Sequence, residues 1–255
     1  MYLQKFEVKN KTALVTGAGK GIGKASAIAL AEAGADLIIL SRTLTDLNKV
    51  EKQINKLKRK CTVFECDVSN VEEVKSVFKQ INSLDILINN AGTNRPDHFT
   101  KIKKEDMDYV VDLNIKAAFH VAQMATKVML KSKNRKSIGG SIINISSQLG
   151  KVGAPNRSVY NMTKFGIEGL TRGMALDLAK KNIRVNSICP TFVETPLVKN
   201  FFKDKKFKQA MLNNIPLGRL ATDSDIATAV VYLASNSSTM MTGSSLIIDG
   251  GWTAK

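Results

Sequence analysis

Tyr160 and Lys164 stand four residues apart in the chain, a spacing that could bring a phenol beside an ammonium. On a helix, side chains at positions i and i+4 lie on the same face, so the two groups could act as one acid/base unit. A unit charge about 5 Å from the phenol, at an effective dielectric of about 20, contributes roughly 3 kcal/mol and would lower the phenol pKa by about 2. The spacing alone also fits an ordinary solvated surface pair, so other residues have to distinguish the two interpretations.

A glycine-rich stretch near the amino terminus, TGAGKGIG, covers Thr16 to Gly23. It follows the short apolar run Thr12 to Thr16 and precedes a helical pattern from Ile22 to Ala33. Glycines let the backbone turn tightly against a pyrophosphate, and a helix N-terminus offers unsatisfied N–H groups to it. We therefore predict a phosphate-binding turn that contains Gly17, Gly19, Lys20, Gly21 and Ile22.

The second predicted strand ends in Leu40-Ser41-Arg42-Thr43, without an acid at its tip. A carboxylate there usually bonds the adenine-ribose 2′-hydroxyl of NAD(H) and repels the 2′-phosphate of NADP(H). Here Arg42, together with Lys20, could instead bind that phosphate through charge-assisted contacts. The sequence thus predicts NADP(H) over NAD(H), with Ser41 and Arg42 in the site. The alternative is that Arg42 is a solvated loop residue.

The 255-residue chain is 44% hydrophobic, enough for one large domain with a substantial core. No apolar run approaches the roughly 18 residues that span a bilayer, and Met1 to Lys9 has no apolar core of a signal peptide. Cys61, Cys66 and Cys189 are too few and too poorly spaced for a disulfide framework or a zinc site. We therefore expect a soluble cytoplasmic protein with no membrane partner.

The formal net charge of +16 invites a nucleic-acid-binding hypothesis, because basic domains attract phosphate backbones. The lysines are nevertheless spread over polar faces and loops, and no nucleic-acid-binding motif accompanies them. His98 and His120 have no partner at metal-ligand spacing. We favour a lysine-rich solvated surface, and an anionic substrate or cofactor, or incidental polyanion binding, stays open as the alternative.

Apolar runs and helical patterns alternate along the whole chain. Further strands are predicted at Asp36–Leu40, Cys61–Cys66, Asp85–Asn89, Ser141–Ser146, Arg184–Cys189 and Ser245–Asp249. Helices are predicted at Asp46–Lys58, Val71–Ile81, Met107–Lys131, Val159–Lys180 and Ser224–Ser235. This alternation predicts an α/β fold, a single-domain doubly wound parallel sheet of the Rossmann type over residues 1–255. Residues 191–217 lack a clear strand, and we predict that they form a lid over the substrate.

Several further motifs follow the glycine turn in a fixed order. They are Asn89-Asn90-Ala91-Gly92, Asn114, Ser147 and the Y-x-x-x-K that contains Tyr160 and Lys164. With these motifs the chain resembles the short-chain dehydrogenase/reductase family over essentially all of its 255 residues. The resemblance implies an NAD(P)-dependent enzyme that interconverts a carbonyl and a secondary alcohol by hydride transfer. It also suggests a homotetramer packed through helices 107–131 and 159–180 and the C-terminal strand.

The resemblance implies a catalytic set of four residues. Tyr160 would be the general acid that protonates the carbonyl oxygen, and the general base in the reverse direction. Ser147, rather than its neighbour Ser146, would hold that oxygen by a hydrogen bond. Lys164 would lower the tyrosine pKa and bond the nicotinamide ribose, while Asn114 would kink its helix and hold a water in a proton relay to Lys164. Because the hydride comes from the cofactor, this chemistry needs no metal.

The resemblance also extends the cofactor site. Asp67 and Val68 match the pair that contacts adenine, and Val193 and Thr195 would bond the carboxamide. One departure is Thr191, where the family often has a glycine and this side chain cannot take glycine's backbone freedom. The remaining residues implied for the cofactor are Asn90, Ala91, Gly92, Tyr160, Lys164 and Pro190.

The substrate-lining candidates are Asn94, Arg95, Gln148, Arg157 and Phe201. The polar and cationic members would suit a hydroxylated acid, so the leading hypothesis is a sugar acid or polyol such as gluconate/5-ketogluconate. The alternative is a 3-oxoacyl-carrier-protein reductase, whose acidic carrier would dock on a basic surface. A cofactor-binding regulator without turnover is the alternative from another class. An intact Ser147, Tyr160 and Lys164 argue against that last possibility.

Overall fold

The structure is a computed structural model, and it describes residues 1–132, 135, 139–195, 198, 202 and 205–254. Its strands are β1 (Thr12–Thr16), β2 (Asp36–Ser41), β3 (Cys61–Glu65), β4 (Ile86–Asn89), β5 (Gly140–Ile145), β6 (Ile183–Pro190) and β7 (Ser245–Ile248). Within the described residues these seven strands form one sheet in the order β3-β2-β1-β4-β5-β6-β7, and every pairing is parallel. The predicted doubly wound fold is confirmed.

Helices connect the strands in the order expected from the sequence. They are α1 (Gly21–Glu32), α2 (Leu44–Lys56), α3 (Val71–Lys79), α4 (Lys104–Val111), α5 (Ala118–Lys131), α6 (Ser158–Leu178), α7 (Lys205–Asn213) and α8 (Asp223–Ala234). A π-helical segment, Asp112–Ala117, joins α4 to α5. In the described part of the chain, no helix is both long and apolar enough to cross a membrane.

Each face of the sheet carries its own hydrophobic core because successive strand residues point to opposite sides. On β1, Val15 packs into the cluster that includes Leu30 of α1 and Val230 of α8. Its neighbour Leu14 packs into the other cluster, with Val121 of α5. A parallel sheet covered on both faces needs such continuous apolar strands, which explains why the strand runs are readable from the sequence.

The strand order reverses beside β1, which pairs with β2 on one side and β4 on the other. The crevice outside the carboxyl ends of two such diverging strands is where α/β sheets bind ligands. In the register of this sheet Val15 lies opposite Ile88, so Thr16 and Asn89 end the two strands side by side. The glycine turn and the segment after β4 are thereby brought together.

The predicted helix Met107–Lys131 is divided by the π-helical segment, and Asn114 lies within it. A π-helical turn inserts an extra residue into a helix and frequently marks a functional site. The family resemblance implied a helix kink at Asn114, and the irregularity found there is a π-helical turn.

The stretch 191–217 contains α7, which the sequence analysis did not predict. Its helical pattern is hard to recognise because lysines fill the segment around it. Phe192 packs its ring 5.5 Å from that of Phe202 and 6.0 Å from that of Trp252. Phe201, a substrate candidate, lies outside the described residues. The lid stays a prediction.

Candidate active site

The glycine turn leaves the end of β1 and enters α1. A Cβ on Gly23 would lie 2.3 Å from the carbonyl oxygen of Gly17 and 2.5 Å from Asn90 Nδ2, so only glycine fits there. Gly17 has a φ of 64°, in the left-handed region that favours glycine. No side-chain hydrogen bond caps the N-terminus of α1, so its first N–H groups can receive an anion. The turn therefore fits the pyrophosphate of a dinucleotide.

Thr16 joins the turn to the segment after β4. Its hydroxyl accepts hydrogen bonds from the backbone N–H groups of Asn90 at 2.9 Å and Ala91 at 3.0 Å. The Asn90 amide in turn donates to the Thr16 carbonyl at 2.8 Å. The sequence placed Thr16 at the end of the first strand and at the start of the glycine motif, and the register of β1 against β4 reveals that it also bonds the segment after β4.

A cavity of about 400 Å³ opens at the carboxyl ends of β1, β4, β5 and β6. It brings together most of the residues predicted to bind the cofactor, along with three of the four catalytic candidates. Those lining it are Gly17, Lys20, Gly21, Ile22, Asn90, Ala91, Gly92, Pro190, Val193, Thr195, Ser147, Tyr160 and Lys164.

Gly19, Ser41, Arg42, Asp67 and Val68 do not line this cavity. They form a second group at the ends of β2 and β3. Ser41 Oγ lies 3.2 Å from where a Cβ of Gly19 would stand, and Arg42 Nη1 lies 3.8 Å from Asp67 Oδ2. The glycine turn contributes to both groups, Gly17 and Gly21 to the cavity and Gly19 to the contact with Ser41.

Lys20 has an acidic partner that the sequence did not indicate. Its ammonium pairs with Asp46 Oδ2 at 2.9 Å, on the first turn of α2. The sequence analysis paired Lys20 with a phosphate and did not consider this carboxylate. Both cations predicted to bind a 2′-phosphate therefore have an acid nearby, Asp46 for Lys20 and Asp67 for Arg42.

Tyr160 and Lys164 lie on one face of α6, with the Lys164 ammonium 5.4 Å from the centre of the Tyr160 ring. Lys164 is buried, and its Nζ donates to the Ile145 carbonyl at 2.9 Å. The pair is therefore not the solvated surface pair that the spacing alone allowed.

Ser146 and Ser147 follow β5 and point in different directions. Ser146 Oγ donates to the Lys164 carbonyl at 3.4 Å, on the side of α6. The Ser147 hydroxyl makes a hydrogen bond with Tyr160 and donates to Gln148 Oε1 at 3.0 Å. Ser147 is thus the serine beside the phenol, as expected from the resemblance.

Asn114 lies behind the cavity and is buried. Its amide donates to the Thr93 carbonyl at 2.9 Å and to Thr163 Oγ1 at 3.1 Å, and its Oδ1 accepts from the Thr93 N–H at 2.8 Å. Thr163 Oγ1 donates to the Tyr160 carbonyl at 2.8 Å. Asn114 therefore connects the loop after β4 to the helix that carries the acid/base pair.

The substrate candidates separate into two groups. Asn94, Gln148 and Arg157 line the cavity. Arg95 does not: its guanidinium lies 4.1 Å from the centre of the Tyr109 ring and pairs with Asp106 at 2.5 Å. Sequence proximity to Asn94 suggested a lining role for Arg95, but the acid and aromatic ring of α4 provide nearer partners.

Thr191, where the family often has glycine, has no positive φ. Its N–H donates to the Ile248 carbonyl at 3.1 Å, so it continues the pairing of β6 with β7. A β-branched residue suits such extended backbone. The departure therefore leaves the chain path intact.

The comparisons with known proteins agree with this geometry. A family model described as enoyl-(acyl carrier protein) reductase matches residues 17–253. The 3-oxoacyl-[acyl-carrier-protein] reductase FabG of Thermotoga maritima is 35% identical over 248 residues, covering 96% of this chain and 98% of the relative. The L-xylulose reductase of Mus musculus is 36% identical over 244 residues, covering 96% and 97% of the two chains.

Among solved structures, a gluconate 5-dehydrogenase from Burkholderia cenocepacia, in complex with NADP and tartrate, has a TM-score of 0.94 and 29% identity over 100% of both chains. The chain belongs to the short-chain dehydrogenase/reductase family. The prediction that the protein is an oxidoreductase of alcohol and carbonyl groups is confirmed.

The electrostatics of this short-chain dehydrogenase/reductase differ from the sequence expectation at Tyr160. Burial raises the pKa of the phenol to about 12, although the hydrogen bond with Ser147 and the charge of Arg157 act in the opposite direction. The net direction is opposite to the lowering expected from Lys164. The physical reason is that burial costs the phenolate more hydration free energy than its interactions with the nearby groups restore.

Glu168 is a buried acid that the sequence analysis missed, one helical turn after Lys164. Burial lowers the pKa of Lys164 to about 8, and nearby Cys189 and Glu168 oppose that lowering. The Glu168 carboxylate pairs with Lys151 at 2.5 Å and accepts a hydrogen bond from Ser245 Oγ. The available signal was the spacing alone, an acid at i+4 from Lys164 and therefore on the same helix face.

Proposed function

We propose that the protein is an NADP(H)-dependent oxidoreductase that interconverts a carbonyl and a secondary alcohol, with Tyr160 as the acid/base. The observation that carries the proposal is one cavity with the glycine turn on one side and Ser147, Tyr160 and Lys164 on the other. Such an arrangement can place a hydride donor and a proton donor on the same carbonyl group.

In reduction, the Tyr160 hydroxyl donates its proton to the carbonyl oxygen, and its raised pKa keeps it protonated at neutral pH. Ser147 donates a hydrogen bond to the same oxygen and holds it in place. The nicotinamide, when bound, would supply the hydride to the carbonyl carbon.

Lys164 supports the phenolate that remains after proton transfer. With a pKa of about 8, the ammonium is mostly charged at neutral pH. Its position 5.4 Å from the phenol ring lets the positive charge stabilise the developing phenolate in a region of low dielectric. Asn114 contributes by fixing the loop after β4 against α6.

We further propose that NADP(H) is preferred over NAD(H). Arg42 at the tip of β2 supports this proposal, because the sequence Leu40-Ser41-Arg42-Thr43 has no acid at that tip and a guanidinium can bind a phosphate through two N–H groups. The solved gluconate 5-dehydrogenase of similar fold contains NADP.

The proposed substrate is a sugar acid or polyol, such as gluconate/5-ketogluconate. Asn94, Gln148 and Arg157 support it, because they give the cavity wall amide groups and one cation. The relatives include a reductase of L-xylulose and a dehydrogenase of gluconate. Residues 191–217 are the proposed cover of this site.

The second candidate function is 3-oxoacyl-carrier-protein reduction. The Thermotoga maritima relative carries this name, and a net charge of +16 would attract an acidic carrier. NADPH oxidation with 5-ketogluconate and with an acetoacetyl thioester separates the two. Faster turnover of the thioester would overturn the sugar-acid proposal.

We also propose that the protein is a homotetramer. Apolar side chains on α5 and α6 support a helix-mediated interface, since Phe119, Met162, Phe165 and Leu176 are all exposed. Sedimentation equilibrium should give four times the 27.8 kDa chain mass. A monomer mass at micromolar concentration would contradict this assembly.

The acid/base assignment is tested by Tyr160→Phe. This variant keeps the ring but removes the transferable proton, so kcat should fall by about 10²- to 10⁴-fold while the Kd of NADPH stays nearly unchanged. Stopped-flow absorbance gives kcat, and NADPH fluorescence gives the Kd. Turnover at the wild-type rate would contradict the mechanism.

A matched serine pair provides the control. Ser147→Ala should also reduce kcat strongly, whereas Ser146→Ala should retain most activity because its hydroxyl contacts the Lys164 carbonyl instead of Tyr160. Equal losses in the two variants would indicate a general structural effect.

The cofactor preference is tested by Arg42→Ala. Removing a charge-assisted contact should raise KM for NADPH by about 10- to 100-fold and leave KM for NADH unchanged. Steady-state kinetics with both cofactors checks this. A wild-type kcat/KM higher with NADH, or an Arg42→Ala variant with unchanged NADPH affinity, would show that the preference is wrong.

A further inference from the structure

Arg42 is held in place by a tyrosine from a different part of the chain. Its Nη1 donates to the Tyr109 phenol oxygen at 3.3 Å, across 67 positions of sequence. The same nitrogen lies 3.8 Å from Asp67 Oδ2. The Arg42 side chain is 60% exposed. Tyr109 and Asp67 thus restrict a guanidinium that would otherwise move freely in solvent.

Such restriction matters because a flexible arginine loses rotamer freedom when it binds a ligand. An arginine side chain has several rotatable bonds, and much of that freedom is lost when its guanidinium is bound. A partner that already holds the guanidinium near its bound position reduces the entropy lost on binding. The phenol oxygen accepts from one N–H of Arg42, and the guanidinium keeps other N–H groups for a phosphate.

Tyr109 is itself fixed by its surroundings. It belongs to α4 and is half-buried. The guanidinium of Arg95 stacks 4.1 Å from the centre of its ring, and Arg95 is in turn paired with Asp106. A ring held from one face and hydrogen-bonded at its oxygen is a stable support for a mobile side chain.

We propose that Tyr109 is a specificity-determining residue that positions the Arg42 guanidinium for the 2′-phosphate of NADP(H). The inference rests on the proposed preference for NADP(H). It adds a residue of α4, from outside the glycine turn and the strand ends, to the group that distinguishes the two dinucleotides. Tyr109 acts through Arg42 and is therefore a positioning residue.

Two other roles of Tyr109 predict different results. If the phenol held Arg42 away from the phosphate, removing its hydroxyl would strengthen binding of a 2′-phosphate. If Tyr109 only packed against Arg95, removing the hydroxyl would change nothing, because the ring would remain. The sign and size of one affinity change therefore separate the three possibilities.

The experiment measures binding of 2′,5′-ADP and 5′-AMP by isothermal titration calorimetry. These two probes differ by the 2′-phosphate alone and need no turnover. Tyr109→Phe should weaken 2′,5′-ADP about three- to tenfold, the loss expected for one hydrogen bond that orients the guanidinium, and leave 5′-AMP unchanged. Unchanged or tighter 2′,5′-ADP binding would overturn the inference, and so would equal weakening of both probes.

Tyr232→Phe is the matched control. Tyr232 lies far along the chain in α8, and its hydroxyl donates to Met241 Sδ at 3.2 Å. The variant removes the same phenol hydroxyl elsewhere in the fold, so it should bind both probes as the wild type does. A weakening of 2′,5′-ADP by Tyr232→Phe equal to that by Tyr109→Phe would show a non-specific effect and overturn the inference.

A double-mutant cycle with Arg42→Ala tests the route of action. In the Arg42→Ala background, Tyr109→Phe should produce no further loss of 2′,5′-ADP affinity, because the group that it positions is gone. Additive losses would show that Tyr109 acts independently of Arg42 and would overturn the inference.

The failure of the cofactor proposal gives a different pattern. A wild type that binds the two probes equally, or an Arg42→Ala variant with unchanged 2′,5′-ADP affinity, would remove the preference on which the inference rests. If Arg42→Ala weakens 2′,5′-ADP and Tyr109→Phe does not, the NADP(H) preference stands and only the role of Tyr109 is overturned.

Discussion

The burial of the Lys164 ammonium, beside the partly buried Tyr160 on one face of α6, is the constraint on which the site depends. A buried ammonium needs polar partners, because its transfer from water is costly without them. The Lys164 ammonium donates to the Ile145 carbonyl, and the nearby Cys189 and Glu168 favour its charged form. The contact with Ile145 requires β5 and α6 to pack closely, which places Ser147 beside Tyr160. The catalytic geometry is therefore a consequence of satisfying one buried charge.

The sheet topology supplies the other half of the site. Because the strand order reverses beside β1, the glycine turn and the segment after β4 meet at the carboxyl edge. Thr16 and Asn90 join these two segments by direct hydrogen bonds, and Asn114 joins Thr93 of the same loop to α6. The loop after β4 is thus hydrogen-bonded to the glycine turn at one end and to the helix of the acid/base pair at the other.

Most of the fold was predictable from the sequence, because a parallel sheet buried on both faces requires apolar runs in every strand. The strand β1 was predicted with its observed ends, Thr12 and Thr16, and the other strand ends differ by about one residue. The helix α7 was missed because its face pattern is obscured by lysines. Helix ends depend on local capping, which the 3.6-residue periodicity does not report.

For the site, spacing predicted which residues share a face but not how deeply that face is buried. This is why the direction of the Tyr160 pKa shift was predicted wrongly: the pKa depends on burial, which the spacing of two residues does not contain. The partners of Lys20 and Arg95 were missed for a related reason. Each pairs with an acid on a helix, Asp46 and Asp106, whose position depends on tertiary packing.

The central claim is that burial, rather than the charge of Lys164, determines the protonation of Tyr160 in the free enzyme. Ultraviolet difference titration of tyrosinate, comparing wild type with Tyr160→Phe, measures this directly because the chain has only 4 tyrosines. The account predicts that the Tyr160 signal appears with a midpoint near pH 12. A midpoint at or below about 10, the value of a free tyrosine, would contradict it.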